Sequence, residues 1–129
     1  MNKVIAIANQ KGGVGKTTTA VNIAASLAAT KRRTLLVDLD PQGNATTATG
    51  VDRLSSQTLY SHYFEKTPIN KCIQKTKDNY DVIPGSDELI ALEISIRSDG
   101  NQAFLSKSMK DLESKYDYTI IDTPPTLNQ

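Results

Sequence analysis

At 129 residues, with 38% apolar and 22% charged residues, the chain suits one folded domain large enough to bury a core of its own. Fifteen lysines and arginines against 14 aspartates and glutamates leave a net charge of +1, so the chain as a whole offers no electrostatic case for binding nucleic acid. Its one cysteine excludes an internal disulfide and a cysteine-ligated metal cluster, and the absence of an apolar signal segment or a run long enough to cross a bilayer predicts a cytoplasmic chain without a membrane partner.

In chain order, Val4-Ile5-Ala6-Ile7-Ala8 is a short apolar run suited to a buried parallel strand, predicted over 3–8. Lys11-Gly12-Gly13-Val14-Gly15-Lys16-Thr17-Thr18 follows it, and an alanine-rich helix is predicted over 16–30. Glycines at 12, 13 and 15 let the backbone turn successive N–H groups inward, and the helix N-terminus adds its own donors and positive dipole end. This reads as a cradle for a polyphosphate, with Lys16 reaching the β- and γ-phosphates and the Thr17 hydroxyl on Mg²⁺. The standard Walker pattern asks for glycine where Gln10 stands, and Lys11 is an added lysine before the double glycine. The plainer reading is a glycine-rich turn with a solvated lysine at each end; the strand before it and helix after it favour the phosphate loop.

A second strand is predicted over 34–38 and ends in Asp38, with Asp40 in the loop beyond. Then come a helical region around 57–64, a short apolar segment at 69–73, a strand at 80–84, helices at 87–97 and 101–114, and a strand at 117–122 ending in Asp122. Leu89, Leu92 and Ile96, then Leu105, Met109 and Leu112, recur at helical spacing as core faces. Strands alternating with helices predict an α/β domain with a mainly parallel sheet. In such a sheet ligands bind at the carboxyl ends of the strands, where Asp38, Asp40 and Asp122 fall. A carboxylate there can orient water around Mg²⁺ or hold an attacking water in line with a phosphate; each alone could equally be a turn former. Lys31-Arg32-Arg33, the only basic run, reads as a helix end facing its own dipole rather than as a phosphate contact, and His62, among Tyr60, Tyr63 and Phe64, as a packed or surface histidine.

Three blocks together, KGGVGKTT from Lys11, LLVDLDPQGNAT from Leu35 and YDYTIIDTPPTL from Tyr116, resemble the ParA/Soj partition ATPases of the deviant-Walker group, which also holds the division-site ATPase MinD. Asn79 to Ser86 and Leu89 to Glu93 resemble that family's central region, so the likeness covers nearly the whole chain, and Asp40-Pro41-Gln42-Gly43-Asn44 favours ParA over MinD. A lone Cys72 argues against the iron–sulfur branch of the superfamily.

The resemblance implies a P-loop NTPase fold using ATP and Mg²⁺. Within it, Lys11, Gly12, Gly13, Val14, Gly15, Lys16, Thr17 and Thr18 bind nucleotide, and Thr17, Asp38 and Asp122 serve the metal, Asp122 as the Walker B carboxylate acting through water. It implies catalytic roles for Lys11, Lys16 and Asp40: Lys11 as the signature lysine reaching the nucleotide of a second subunit, and Asp40 positioning the attacking water. A charge given in trans follows the logic of an arginine finger. Gly12 matches the glycine where two subunits approach.

The implied partners are a second copy in an ATP-dependent homodimer, a centromere-binding ParB-like protein, and non-specific DNA through residues beyond Gln129, with the family's nucleoid association. The resemblance implies relatives of about twice this length, which fits typical nucleotide-binding domains, so residues 1–129 are expected to be the N-terminal part of one ParA-like domain with an incomplete sheet. Two function classes stay open: a plasmid or chromosome partition ATPase, and a truncated, non-catalytic nucleotide-binding or regulatory remnant. A MinD-like division-site ATPase is the weaker third.

Overall fold

The computed structural model describes residues 2–7, 14–51 and 57–123, with residues 14–17 as backbone alone. The elements are β1 (Lys3–Ile7), α1 (Val14–Ala29), β2 (Thr34–Asp38), α2 (Asn44–Thr49), α3 (Leu59–Phe64), a 3-10 turn Ile69–Cys72, β3 (Gln74–Lys75), β4 (Asp81–Ile83), α4 (Glu88–Ser98), α5 (Phe104–Lys110) and β5 (Tyr118–Asp122). They build a five-stranded sheet in the order β1-β5-β2-β4-β3. The first four strands of that order run parallel and β3 pairs antiparallel to β4. The α/β class with a mainly parallel sheet flanked by helices is therefore what the alternation of elements predicted.

Side-chain alternation assigns the two faces. Ile5, Ile120, Leu36 and Val82 stand in register across the four parallel strands. This rung packs with Ala20, Ala24 and Ala28 of α1 and Ala45 of α2. An alanine at every fourth position gives α1 a narrow, small-residue stripe toward the sheet. The next rung, Ala6, Ile121, Val37 and Ile83, points the other way. There Val37, Ile83 and Ile121 meet Leu59, Leu89, Leu92, Leu112 and Tyr116. All five residues of β2 are buried, which is why it reads as a continuous apolar run and not as an alternating one.

Boundaries differ where local chemistry is illegible. The helix predicted from 16 begins at Val14, and the one predicted over 101–114 is α-helical only from Phe104 to Lys110. Residues 111–115 wind on through bonds three residues apart, including Leu112 N–H to Met109 O at 2.9 Å and Lys115 N–H to Leu112 O at 3.0 Å, a tighter coil than α. The region around 57–64 is set by a capping box, Thr58 Oγ1 accepting from Ser61 N–H and Ser61 Oγ from Thr58 N–H. The basic run stands at the helix end, just past the last turn. α1 has no basic residue in its last turn. It closes instead with Lys31 at φ 66, Lys31 N–H to Ala28 O and Arg32 N–H to Leu27 O, a Schellman-type stop, while Arg33 forms an ion pair with Asp117 at 3.2 Å.

Among the described residues β1 lies at an edge of the sheet, and Val4 on it is 59% exposed. An apolar edge with open backbone groups invites pairing between chains. Val4→Lys is therefore expected to lower self-association, read as a fall in weight-average mass by sedimentation at rising concentration. An unchanged concentration dependence would show that β1 is not the sticky edge.

Candidate functional site

Register carries the sequence-predicted acids to one edge. Ile7, Asp122 and Asp38 are direct neighbours at the carboxyl ends of β1, β5 and β2. They share the face of the Ile5–Ile120–Leu36 rung, two residues earlier, and therefore the α1 side. Ile7 is the last residue of β1, and α1 begins at Val14. Thr123 fastens that departure point by giving both its N–H, at 3.1 Å, and its hydroxyl, at 2.8 Å, to Ile7 O. Leu39 N–H is held in turn by Asp122 O at 2.9 Å.

Lys11, Gly12 and Gly13 lie outside the described residues, as do the side chains of Val14, Lys16 and Thr17. What the structure does place is the backbone of 14–17 as the opening turn of α1, whose first N–H groups lack intrahelical acceptors and sit at the positive end of the dipole. Thr18 follows, exposed.

Asp38 and Asp122 are wholly buried and Asp40 is 6% exposed. Asp38 Oδ1 accepts the N–H of Asp40 at 3.0 Å; its Oδ2 accepts both the N–H and the hydroxyl of Thr46, at 2.9 and 2.6 Å. Burial pushes the Asp38 carboxyl up, opposed by the hydrogen bonds from the Thr46 hydroxyl, the Thr46 N–H and the Asp40 N–H. With about four acceptor positions on a carboxylate, three are taken by protein donors. Asp40 caps its own loop: its Oδ1 accepts from Gln42 N–H at 3.0 Å and its O from Gly43 N–H at 2.8 Å, with Gly43 left-handed at φ 66.

Two contributors carried no motif of their own. Thr46, fully buried in α2, accepts the N–H of Gly85 on its hydroxyl at 2.8 Å. Gly85 leaves β4 so close to the acidic loop that a Cβ would stand 2.7 Å from Asp38 O and 2.9 Å from both Asp38 Cγ and Asp40 O. Both lie in segments resembling the family, yet neither residue type announces chemistry. His62 is elsewhere, its ring nitrogens engaged by Thr67 O at 2.6 Å and Ser108 Oγ at 2.7 Å.

The donors suit a Mg²⁺–nucleotide pair. Among the described residues they are hard carboxylate oxygens, on Asp38 and Asp122, neighbours at the ends of β2 and β5. Mg²⁺ takes one or two carboxylates and fills its remaining positions with phosphate and water, while phosphate is matched by helix N–H groups.

Comparison with known proteins shows what the chain is similar to. The family model described as "AAA domain" matches residues 2–129. The chromosome partitioning protein ParA of Myxococcus xanthus is 44% identical, over 98% of this chain and 46% of the relative. The sporulation initiation inhibitor protein Soj of Bacillus subtilis is 43% identical, over 98% and 51% respectively. The crystal structure of cobyrinic acid a,c-diamide synthase from Mycobacterium smegmatis, with bound ATP analog and magnesium, superposes with a TM-score of 0.90 at 34% identity, covering 98% of this chain and 52% of that one. The chain thus spans about half the length of the relatives it matches. It belongs to the AAA domain family, among the ParA and Soj proteins that it matches along almost its whole length.

Proposed function

We propose that this chain binds Mg·ATP at the β1–α1 loop and serves as the nucleotide-handling part of a ParA-like partition ATPase. The observation that carries the reading is the single rung Ile7–Asp122–Asp38, which sets two aspartates beside the strand that leads into the glycine-rich segment. Lys16 and the backbone of Gly12 to Thr18 hold the phosphates. Thr17 and, through water, Asp122 hold the metal, with Asp38 able to accept from a further metal-bound water. Mg²⁺, when bound, neutralises charge on the β- and γ-phosphates.

Asp40 orients the attacking water and receives its proton. Lys11 gives a positive charge across an ATP-dependent homodimer, with Gly12 at the close approach of the two copies. A ParB-like DNA-bound partner, non-specific DNA, and a cytoplasmic, nucleoid-associated setting without membrane attachment belong to the same reading. Plasmid and chromosome cargo are equally compatible with it.

Calorimetric titration of Mg·ATP tests it. Lys16→Ala should weaken binding by about 10–100-fold, the worth of one charge-assisted phosphate contact at roughly 1.5–3 kcal/mol. Equal affinity in the two proteins would mean that the loop is not the nucleotide site. A second reading is nucleotide binding without turnover. Phosphate release from the same samples separates the two.

A further inference from the structure

The strongest unexplained feature of the acidic edge is a continuous hydrogen-bonded relay. Gly85 N–H donates to Thr46 Oγ1 at 2.8 Å, Thr46 Oγ1–H donates to Asp38 Oδ2 at 2.6 Å, and Asp38 Oδ1 accepts from Asp40 N–H at 3.0 Å. Its direction is fixed. A backbone N–H can only donate and a carboxylate accepts, so the threonine hydroxyl proton has to point at Asp38. The Thr46 N–H adds a second bond to the same Oδ2 at 2.9 Å. Every group of the relay is buried.

The relay ends on the backbone of Asp40, not on its side chain. The Asp40 N–H is gripped by Asp38, and its carbonyl lies against Gly85, where even a Cβ would come to 2.9 Å. Asp40 is therefore held on both sides of its Cα. The Thr46 hydroxyl bonds both of the groups that do the holding, Gly85 in the loop after β4 and the Asp38 carboxylate at the end of β2. A carboxylate that orients water depends on placement to a fraction of an ångström, and its placement here is inherited from that backbone.

We propose that Thr46 is a positioning residue for Asp40, fixing the direction of its carboxylate through Asp38 and Gly85. The catalytic consequence rests on the reading of Asp40 as the water-orienting group; the holding of its backbone does not. Asp38 acts in the same assembly, contributing by what it holds as well as by any water it accepts from.

Thr46→Val removes the hydroxyl at nearly constant volume, and Thr46→Ser restores it. In the full chain, three quantities separate the outcomes: amide hydrogen exchange by NMR, affinity for Mg·ATP, and hydrolysis at saturating Mg·ATP. Thr46→Val should speed exchange at the Asp40 and Gly85 amides by about tenfold or more while Val82 and Ile120 in β4 and β5 stay within about twofold. Its affinity should hold within about threefold and its turnover fall by about 10–100-fold, the cost of misplacing a reacting group. Thr46→Ser should restore both the exchange pattern and the rate.

Undisturbed Asp40 exchange in Thr46→Val would overturn the proposal. So would a rise spread evenly over the sheet, which would make Thr46 a general stabiliser, or a failure of serine to rescue. A wild-type chain that binds no Mg·ATP would instead refute the nucleotide reading, and in a chain that binds without measurable turnover the exchange pattern alone upholds or overturns the relay. Exchange thus tests the hold on Asp40, and titration tests the nucleotide site, each independently of the other.

Discussion

Asp38→Ala is expected to destabilise the chain by about 3–5 kcal/mol, a large loss for a single substitution. Three donors converge on that carboxylate: the Asp40 N–H, the Thr46 N–H and the Thr46 hydroxyl. Each left unsatisfied in a dry site costs roughly 1–3 kcal/mol. Against this stands the cost of burying the charge, visible in the upward push on the Asp38 carboxyl. Removing the carboxylate returns part of that cost, which is why the expected loss lies below the sum of three full penalties. Asp38→Asn keeps one acceptor oxygen but turns an NH₂ toward a donor, so it should fall between wild type and alanine. Urea unfolding reads the result as a lower midpoint at an unchanged slope. Since a whole domain is stable by about 5–15 kcal/mol, the alanine variant should sit close to its threshold. A loss below about 1 kcal/mol would mean that water replaces the carboxylate and that α2 is held by something else.

The fold is legible wherever a strong period or a special residue marks it. β2 is bounded from Thr34 to Asp38 in sequence and structure alike because a run of apolar residues ends abruptly in acid. The position of Asp122 beside Asp38 follows from both acids ending parallel strands. α2 is not foreseen. Its sequence, Asn-Ala-Thr-Thr-Ala-Thr, has three β-branched residues in six and too little length to stand on propensity. It is a helix because the Asp38 carboxylate, eight residues earlier, accepts the N–H of its third residue, a partner that no local window contains. β3 escapes for a similar reason: two residues carry no period, and only pairing with β4 makes them a strand.

At the site, residues that act through charge can be named from their type and position, whereas Thr46, Gly85 and Thr123 act through uncharged hydrogen bonds or the lack of a side chain. Those roles exist only once the chain has folded. The phosphate loop is the inverse case, clearest in the sequence, yet Lys11, Gly12 and Gly13 fall outside the described residues.

Asp40→Ala should separate chemistry from architecture in the way that Asp38→Ala cannot. The alanine keeps the backbone N–H that binds Asp38 and the backbone O that accepts from Gly43, so both ends of the residue remain held. Among the bonds described, only the Gln42 N–H loses its acceptor, and Gln42 is exposed, so water can take its place. The stability cost should therefore stay below that of Asp38→Ala, whose carboxylate holds three donors at once.

Turnover should respond far more. Loss of a group that orients the attacking water and takes its proton costs about 10²–10⁴-fold, which is roughly 2.7–5.4 kcal/mol in the barrier. Binding of Mg·ATP should stay within about threefold, because the proposed reading assigns the phosphates to the loop and the helix N-terminus, not to Asp40. Single-turnover hydrolysis, nucleotide titration and urea unfolding on one preparation give the three values. A variant that still hydrolyses at the wild-type rate per bound nucleotide, but has lost affinity or folding, would remove Asp40 from the chemistry. It would leave the relay from Gly85 through Thr46 and Asp38 as scaffolding around a residue that only shapes the loop.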